Sequence, residues 1–120
     1  MDKTQKGKSL LRLLKNSLTG LFHAIKMQFD TGALTINKED PEEILNNYAE
    51  LIGHVHLSEP DLVPLGDSAS DHESFYSAIA KHIPTSILTI EMLLTTKEPP
   101  IESIGRALTF AHSKYLREIP

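Results

Sequence analysis

Three short runs with strand-like alternation, each carrying an ionisable residue near its downstream end, constrain the fold of this chain most strongly. The runs occupy residues 26–30, 54–58 and 87–92. The ionisable residues are Asp30, His56 and Glu91, and the gaps of 26 and 35 residues between them each leave room for a helix, as parallel strands require. Chemistry in parallel α/β sheets gathers at the carboxyl ends of the strands, where these residues fall.

Alternation along the runs separates the two faces of the predicted sheet. Because strand side chains alternate with period two, Asp30, His56 and Glu91 share one face. The other face is apolar and consists of Met27, Phe29, Val55, Leu57, Leu88, Ile90 and Met92. We therefore expect helices to cover the apolar face and the three ionisable side chains to converge on the other.

The N-terminal segment is basic and amphipathic. Leucines at helical spacing predict a helix near residues 6–19, and no acidic residue occurs from Lys3 to Phe29. We interpret this segment as an outer helix with its cationic face in solvent. A transit peptide or a membrane-surface helix has the same character and stays open as an alternative.

Three more predicted helices complete the order. Asp40-Pro41 indicates the start of a helix that Gly53 is expected to close, and Ser70 with Glu73 resembles a capping box before the next helix. The last helix is marked by Ile101, Ile104, Leu108, Ala111 and Tyr115. The predicted fold is an α/β domain with about three parallel strands and four helices.

Length and composition bound the possible functions. The 120 residues, 40% of them apolar, suffice for one core but fall short of the roughly 250 residues of a closed (β/α)8 barrel. Without cysteine, disulfides and thiolate sites are excluded, and a cytoplasmic location is expected. The net charge of −4 argues against a general nucleic-acid partner. No apolar stretch reaches the roughly 20 residues that a membrane span requires.

Asp30, His56 and Glu91 together offer ligands for a divalent cation. Two carboxylates and an imidazole suit Mn²⁺, Mg²⁺, Co²⁺ or Zn²⁺. Helix caps or solvated loop residues would produce the same spacing. His54 shares the face of His56 and is expected to be a polar interior residue, with substrate binding as the alternative. Glu59, with Pro60, is expected to shape the loop over the site and is also a weaker substrate-binding candidate.

Three sequence words in this order resemble the xylose isomerase-like TIM barrels. The words are Phe29-Asp30-Thr31-Gly32, Gly53-His54-Val55-His56-Leu57-Ser58-Glu59-Pro60 and Thr89-Ile90-Glu91-Met92. That superfamily includes sugar isomerases, sugar 3-epimerases and type IV AP endonucleases. The resemblance runs from about residue 26 to the C-terminus and matches the last three strand units of the barrel. It implies a partial (β/α)8 barrel in which residues 1–120 form a single C-terminal domain.

The resemblance also implies roles for the matching residues. Asp30, His56 and Glu91 match ligands of the superfamily's divalent metal, and Glu91 also matches one of two acid–base carboxylates in the epimerases. In those enzymes the metal polarises neighbouring carbonyl and hydroxyl oxygens while the carboxylates move a proton. The implied reaction is aldose–ketose isomerisation or epimerisation of a small sugar or sugar phosphate.

Departures from the superfamily pattern point to an incomplete site. The fourth ligand, a Glu on an earlier strand, has no counterpart in this chain. Ala33 stands where many relatives have His, and the segment after the His-bearing strand lacks the Arg of many epimerases. The isolated chain is therefore expected to bind a divalent metal weakly or not at all, and to be completed by a second copy in a homo-oligomer or by a separately encoded N-terminal half. A non-catalytic remnant or interaction module is the alternative, and an AP endonuclease-like protein comes third.

Overall fold

The computed structural model describes residues 25–117, which contain one three-stranded sheet and four α-helices. In chain order the elements are β1 (Met27–Asp30), α1 (Thr31–Ile36), α2 (Pro41–Tyr48), β2 (Ile52–Leu57), α3 (His72–His82), β3 (Leu88–Ile90) and α4 (Pro100–Tyr115). Short 3₁₀ turns, Ala49–Leu51 and Pro60–Leu62, lie on either side of β2. The helix predicted near residues 6–19 lies outside the described residues. No helix in the described part of the chain is long and apolar enough to cross a membrane.

The three strands are parallel and follow one another in the sheet in the order β1-β2-β3. Asp30 is paired with His56, and His56 is paired with Thr89. The backbone N–H of Glu91 donates to Leu57 O over 3.0 Å, so Glu91 stays aligned with the end of β2 although β3 ends at Ile90. The predicted α/β class with three parallel strands in one sheet is confirmed, and three of the four predicted helices correspond to α2, α3 and α4.

Most of the predicted apolar face of the sheet packs in the core, whereas Met27, at the start of β1, is 37% exposed, contrary to the prediction. Phe29, Val55 and Leu57 are almost completely buried under Leu45 of α2 and Phe75 of α3. The Phe29 and Phe75 rings meet edge to face with their centroids 6.2 Å apart. Burial of this apolar surface is the main force that holds the helices on one side of the sheet. The opposite face is left to the ionisable residues.

The start of α2 is as predicted, whereas the start of α3 is not. Asp40 caps α2 by accepting from the backbone N–H of Glu42 over 3.0 Å. At α3 the capping residue is Asp71 rather than Ser70. Its carboxylate accepts both the backbone N–H and the hydroxyl of Ser74, at 3.1 and 2.7 Å. A carboxylate is a stronger acceptor than a hydroxyl, so the helix begins one residue later than the capping box requires.

Gly53 does not end α2, which was a wrong prediction. The helix stops at Tyr48, a 3₁₀ turn follows, and Gly53 lies within β2. A side chain at this position would place its Cβ 2.6 Å from Cβ of Lys26, at the entry to β1. Close approach of the neighbouring segment, and not helix termination, is therefore the reason for glycine here.

The short helix α1 was not predicted from the sequence. Asp30, the last residue of β1, is also its N-cap, because Asp30 Oδ1 accepts from the backbone N–H of Ala33 over 2.9 Å. The chain therefore turns directly from strand to helix at the first candidate ligand. This turn fixes the orientation of the Asp30 carboxylate relative to the sheet.

Candidate metal centre

Asp30, His56 and Glu91 converge at the carboxyl ends of the three strands. One ligand-type atom from each lies within 4.8 Å of the other two. His56 Nδ1 is 2.6 Å from Glu91 Oε2 and 4.0 Å from Asp30 Oδ2. The side chains of Asp30 and His56 are 20% exposed and that of Glu91 is 43% exposed, so the cluster is open to solvent. The predicted convergence is confirmed.

The donor set and its spacing fit a small divalent cation. Oxygen ligands bind Mg²⁺ at about 2.1 Å, so two ligands on opposite sides of such an ion lie about 4.2 Å apart. The 4.0 Å from His56 Nδ1 to Asp30 Oδ2 is close to this distance, whereas the 2.6 Å contact between His56 Nδ1 and Glu91 Oε2 is a hydrogen bond that a bound ion would replace. Two carboxylates and one imidazole are also a charge and ligand combination that such cations favour. Asp30, His56 and Glu91 could therefore hold a metal ion.

Asp30 is held in place by three hydrogen bonds. Its Oδ1 accepts from Ser58 Oγ over 2.7 Å and from the backbone N–H of Ala33 over 2.9 Å. Its Oδ2, the oxygen nearer to His56, accepts from Gln28 Nε2 over 3.3 Å. Residues that orient metal ligands in this way raise the affinity of a site because the ligand geometry is already formed.

Buried hydrogen bonds join the sequence word that contains Asp30 to the word that contains His56. Thr31 Oγ1 donates to Ser58 O over 2.7 Å and accepts from Ser58 N over 2.8 Å. The backbone N–H of Gly32 donates to Ser58 Oγ over 3.0 Å. Thr31 and Ser58 are both fully buried. Sequence reasoning gave Ser58 no role, although its place in the word directly after the ligand-bearing strand was the available signal.

His54 lies on the same face as the candidate ligands. Its ring centroid is 4.6 Å from that of His56, with the two rings nearly perpendicular, and the residue is exposed rather than interior. This position beside the cluster suits contact with a bound molecule. Substrate binding by His54 stays a prediction.

Glu59 does not face the candidate metal centre. Its side chain is completely buried, and Oε2 accepts from the backbone N–H of Gly66 over 2.7 Å and contacts His72 Nε2 at 2.8 Å. Burial alone would raise the pKa of Glu59, but the hydrogen bonds from His72 and Gly66 help to outweigh it, so this pKa is lowered. The buried position provides no surface for a substrate, so it does not support the weak substrate-binding role that we predicted.

The similarity to known proteins is local. Two inosose dehydratases, from Lacticaseibacillus casei and from its strain BL23, are each 33% identical to this chain over 55 residues. The aligned segment is 46% of this chain and 18% of each relative. The similarity therefore covers a small part of those enzymes. No protein-family model matches the chain, and no solved structure matches it.

Proposed function

We propose that this chain provides three ligands of a divalent-metal site in a sugar isomerase- or epimerase-like protein of the xylose isomerase-like superfamily. The observation that supports this most is the convergence of Asp30, His56 and Glu91, one from each strand end, within 4.8 Å. The three sequence words occur in the order and at the strand positions typical of that superfamily. The local similarity to two inosose dehydratases, which are named for action on an inosose, adds support for a small sugar-like substrate.

The proposed chemistry assigns a distinct task to each residue. When bound, the cation would polarise carbonyl and hydroxyl oxygens of a small sugar or sugar phosphate. Asp30 and His56 are the more buried ligands and act as fixed donors. Glu91 is the most exposed of the three, so its carboxylate is available to exchange a proton with a substrate carbon. His54 would hydrogen-bond a substrate hydroxyl from the same face.

A full two-carboxylate reaction requires more than this cluster contains. Within the described residues, Glu91 is the cluster's one candidate for proton transfer at the substrate, because Asp30 is occupied by Ser58, Ala33 and Gln28. We propose that a second copy of the chain or a separately encoded N-terminal half supplies the second carboxylate. Because the described cluster contains one candidate carboxylate for proton transfer where the reaction needs two, a non-catalytic metal-binding or interaction module is the second candidate function.

Calorimetric titration with Mn²⁺ tests the metal assignment. The purified chain should bind weakly, with the ion keeping several waters, and His56→Ala should abolish binding because it removes one of three protein ligands. His112→Ala, which changes an exposed histidine on α4, is the matched control and should bind as the wild type does. Equal binding by wild type and His56→Ala, or no binding by the wild type, would remove the metal assignment.

A further inference from the structure

A buried polar chain connects the segment after β2 to the last helix. Glu59 Oε2 contacts His72 Nε2 at 2.8 Å, and His72 Nδ1 contacts Tyr115 Oη at 2.5 Å. The side chain of Glu59 is 0% exposed and that of His72 is 4% exposed. Glu59 Oε2 and both ring nitrogens of His72 have hydrogen-bond partners, whereas Glu59 Oε1 is buried with none among the described residues. The carboxylate is therefore held in this chain of contacts through Oε2.

The role of His72 Nε2 in this chain follows from its carboxylate partner. A carboxylate only accepts, so His72 Nε2 must donate to Glu59. Burial, followed by the nearby charges of Glu59 and Asp71, raises the pKa of Tyr115 far above its ordinary value, so its phenol keeps its proton. The Tyr115 hydroxyl is hydrogen-bonded to His72 Nδ1, and the tautomer of His72 decides which of the two groups donates. The three side chains form a chain of hydrogen bonds from α4 to residue 59.

The same segment is fixed to α4 at a second point. Gly66, whose backbone N–H also donates to Glu59, has a positive φ of 95°, and a Cβ at this residue would lie 2.8 Å from the Phe110 ring. Positive φ and this close approach both require glycine. Asp67, the next residue, is paired with Arg106 of α4. Both ends of this stretch, Glu59 at one and Gly66 with Asp67 at the other, are therefore anchored on the helix layer.

Glu59 and Ser58 are adjacent in the chain but face opposite ways. Glu59 extends into the interior, whereas the hydroxyl of Ser58 donates to Asp30 Oδ1. The backbone shared by these two residues links the interior chain of hydrogen bonds to the carboxylate at the metal centre. A displacement of residue 59 would move the Ser58 hydroxyl and release Asp30.

We propose that Glu59 is a positioning residue for the candidate metal centre. Its buried carboxylate, held by His72 and Gly66, fixes the backbone after β2 so that Ser58 stays on Asp30. The inference rests on the proposed metal function for its significance, while the placement of Ser58 can be measured without metal. It also explains why a glutamate with no access to substrate follows the ligand-bearing strand.

Glu59→Gln in the full chain tests this proposal, since the amide keeps the shape of the side chain and loses the charge. We expect Mn²⁺ affinity to fall about 10-fold, as for other residues that orient metal ligands. In the metal-free protein, hydrogen exchange at the Gly32 amide, which donates to Ser58 Oγ, should accelerate. Tyr115→Phe removes only the far end of this chain of hydrogen bonds and should shift both measurements in the same direction by less. If Glu59→Gln does not fold, Tyr115→Phe tests the proposal in its place.

Two controls separate positioning from general stability. Glu73→Gln makes the same chemical change at an exposed residue of α3 that pairs with Arg117, and should leave both measurements unchanged. Ile79→Val, in the core of the same helix, should lower the melting temperature without changing Mn²⁺ affinity.

Each outcome decides the proposal. If Glu59→Gln binds Mn²⁺ as tightly as the wild type does, the positioning role is overturned and the proposed metal function is unaffected. Should the wild type itself take up no Mn²⁺, the metal function fails, and Gly32 exchange decides alone: acceleration in Glu59→Gln supports the placement, and an unchanged rate overturns it.

Discussion

Asp30 has two structural roles at the candidate metal centre. As the N-cap of α1 it accepts from the backbone of Ala33, and as a partner of Ser58 it is tied to the end of β2. Both bonds use Oδ1, which leaves Oδ2 nearer to His56. The sequence identified Asp30 as a candidate ligand, but neither bond was predicted, because both depend on the unpredicted turn into α1.

Two glycine substitutions test how tightly Gly32, in the first sequence word, packs against Ser58 and Glu59, in the second. Gly32→Ala should destabilise the protein by about 1–3 kcal/mol, the usual cost of overpacking. The added Cβ would lie 2.6 Å from Ser58 Oγ and 2.8 Å from the backbone oxygen of Glu59. Gly105→Ala is the matched control: nothing lies within 4 Å of its Cβ, and alanine in mid-helix should stabilise by about 0.5–1 kcal/mol. Urea unfolding of both variants measures the difference. Equal effects at the two sites would contradict the interlocked arrangement of Gly32 and Ser58.

The lowered pKa of Glu59 predicts a specific response to acid. A carboxyl whose pKa is lower in the folded state than its ordinary value of 4.5 stabilises the fold when ionised. That contribution is fully present above the unfolded-state pKa and is lost as pH falls through the folded-state pKa.

The difference in unfolding free energy between wild type and Glu59→Gln should therefore shrink as pH is lowered from about 7 to about 3. Urea denaturation at each pH measures it, with the exposed Glu73→Gln as reference. A difference that stayed constant across this range would show that the charge of Glu59 does not stabilise the fold.

At the scale of elements, the sequence predicted the strands and their faces better than the helix ends. Helices bury one face of the sheet, so apolar and polar residues alternate along each strand. This period-two pattern can be recognised in the sequence. The errors at Gly53 and Ser70 have different physical causes. Each residue type was assigned by local preference, whereas packing of Lys26 and the stronger acceptor Asp71 decided the outcome. The contact with Lys26 is tertiary and lies outside local propensity, whereas Asp71 is a local N-cap candidate as good as Ser70.

The last helix shows the same limit of sequence reasoning. Its existence was predicted from an apolar stripe and is confirmed, but the residues of α4 that are buried include Ser103, Ala107 and Tyr115. Ile101, at 75% exposure, and Leu108, at 57%, remain in solvent. Ser103 and Ala107, together with Tyr115, lie on the inner side of this helix, and the larger aliphatic residues Ile101 and Leu108 are left on its surface. A groove of about 810 Å³ between β3, α3 and α4 has Leu108 in its wall.

The hydrogen bonds that link Glu59, His72 and Tyr115 could not be predicted from the sequence, for a different reason. Glu59 and Tyr115 are 56 positions apart (115 − 59), and no periodicity links them to His72. His72 is the first residue of α3. Its burial is set by the approach of α4, a tertiary contact that no local pattern contains.

At the scale of the whole molecule, the described fold has open edges and exposed apolar side chains. In the three-stranded sheet of residues 25–117, β1 and β3 each have one neighbour. Ile87, beside β3, is 80% exposed. Unpaired strand edges promote pairing with another chain, and most soluble oligomers contain identical subunits.

We therefore expect the chain to self-associate, with a second copy on the surface formed by β3, Ile87 and the exposed apolar residues of α4. Sedimentation velocity should show a mass above the monomer that increases with concentration. Leu108→Asp should shift the distribution toward monomer, whereas Ile36→Asp, an equally apolar and exposed position on α1, should not. A stable monomer at high protein concentration would contradict this expectation.

We propose that His56 ligates a divalent cation together with Asp30 and Glu91. Pulsed electron paramagnetic resonance of the Mn²⁺-loaded chain tests this ligation, because a directly bound imidazole nitrogen modulates the electron spin echo. We expect nitrogen modulation from one imidazole in the wild type, retained in His54→Ala and lost in His56→Ala. Mn²⁺ bound without nitrogen modulation in the wild type, or modulation that persists in His56→Ala, would contradict it.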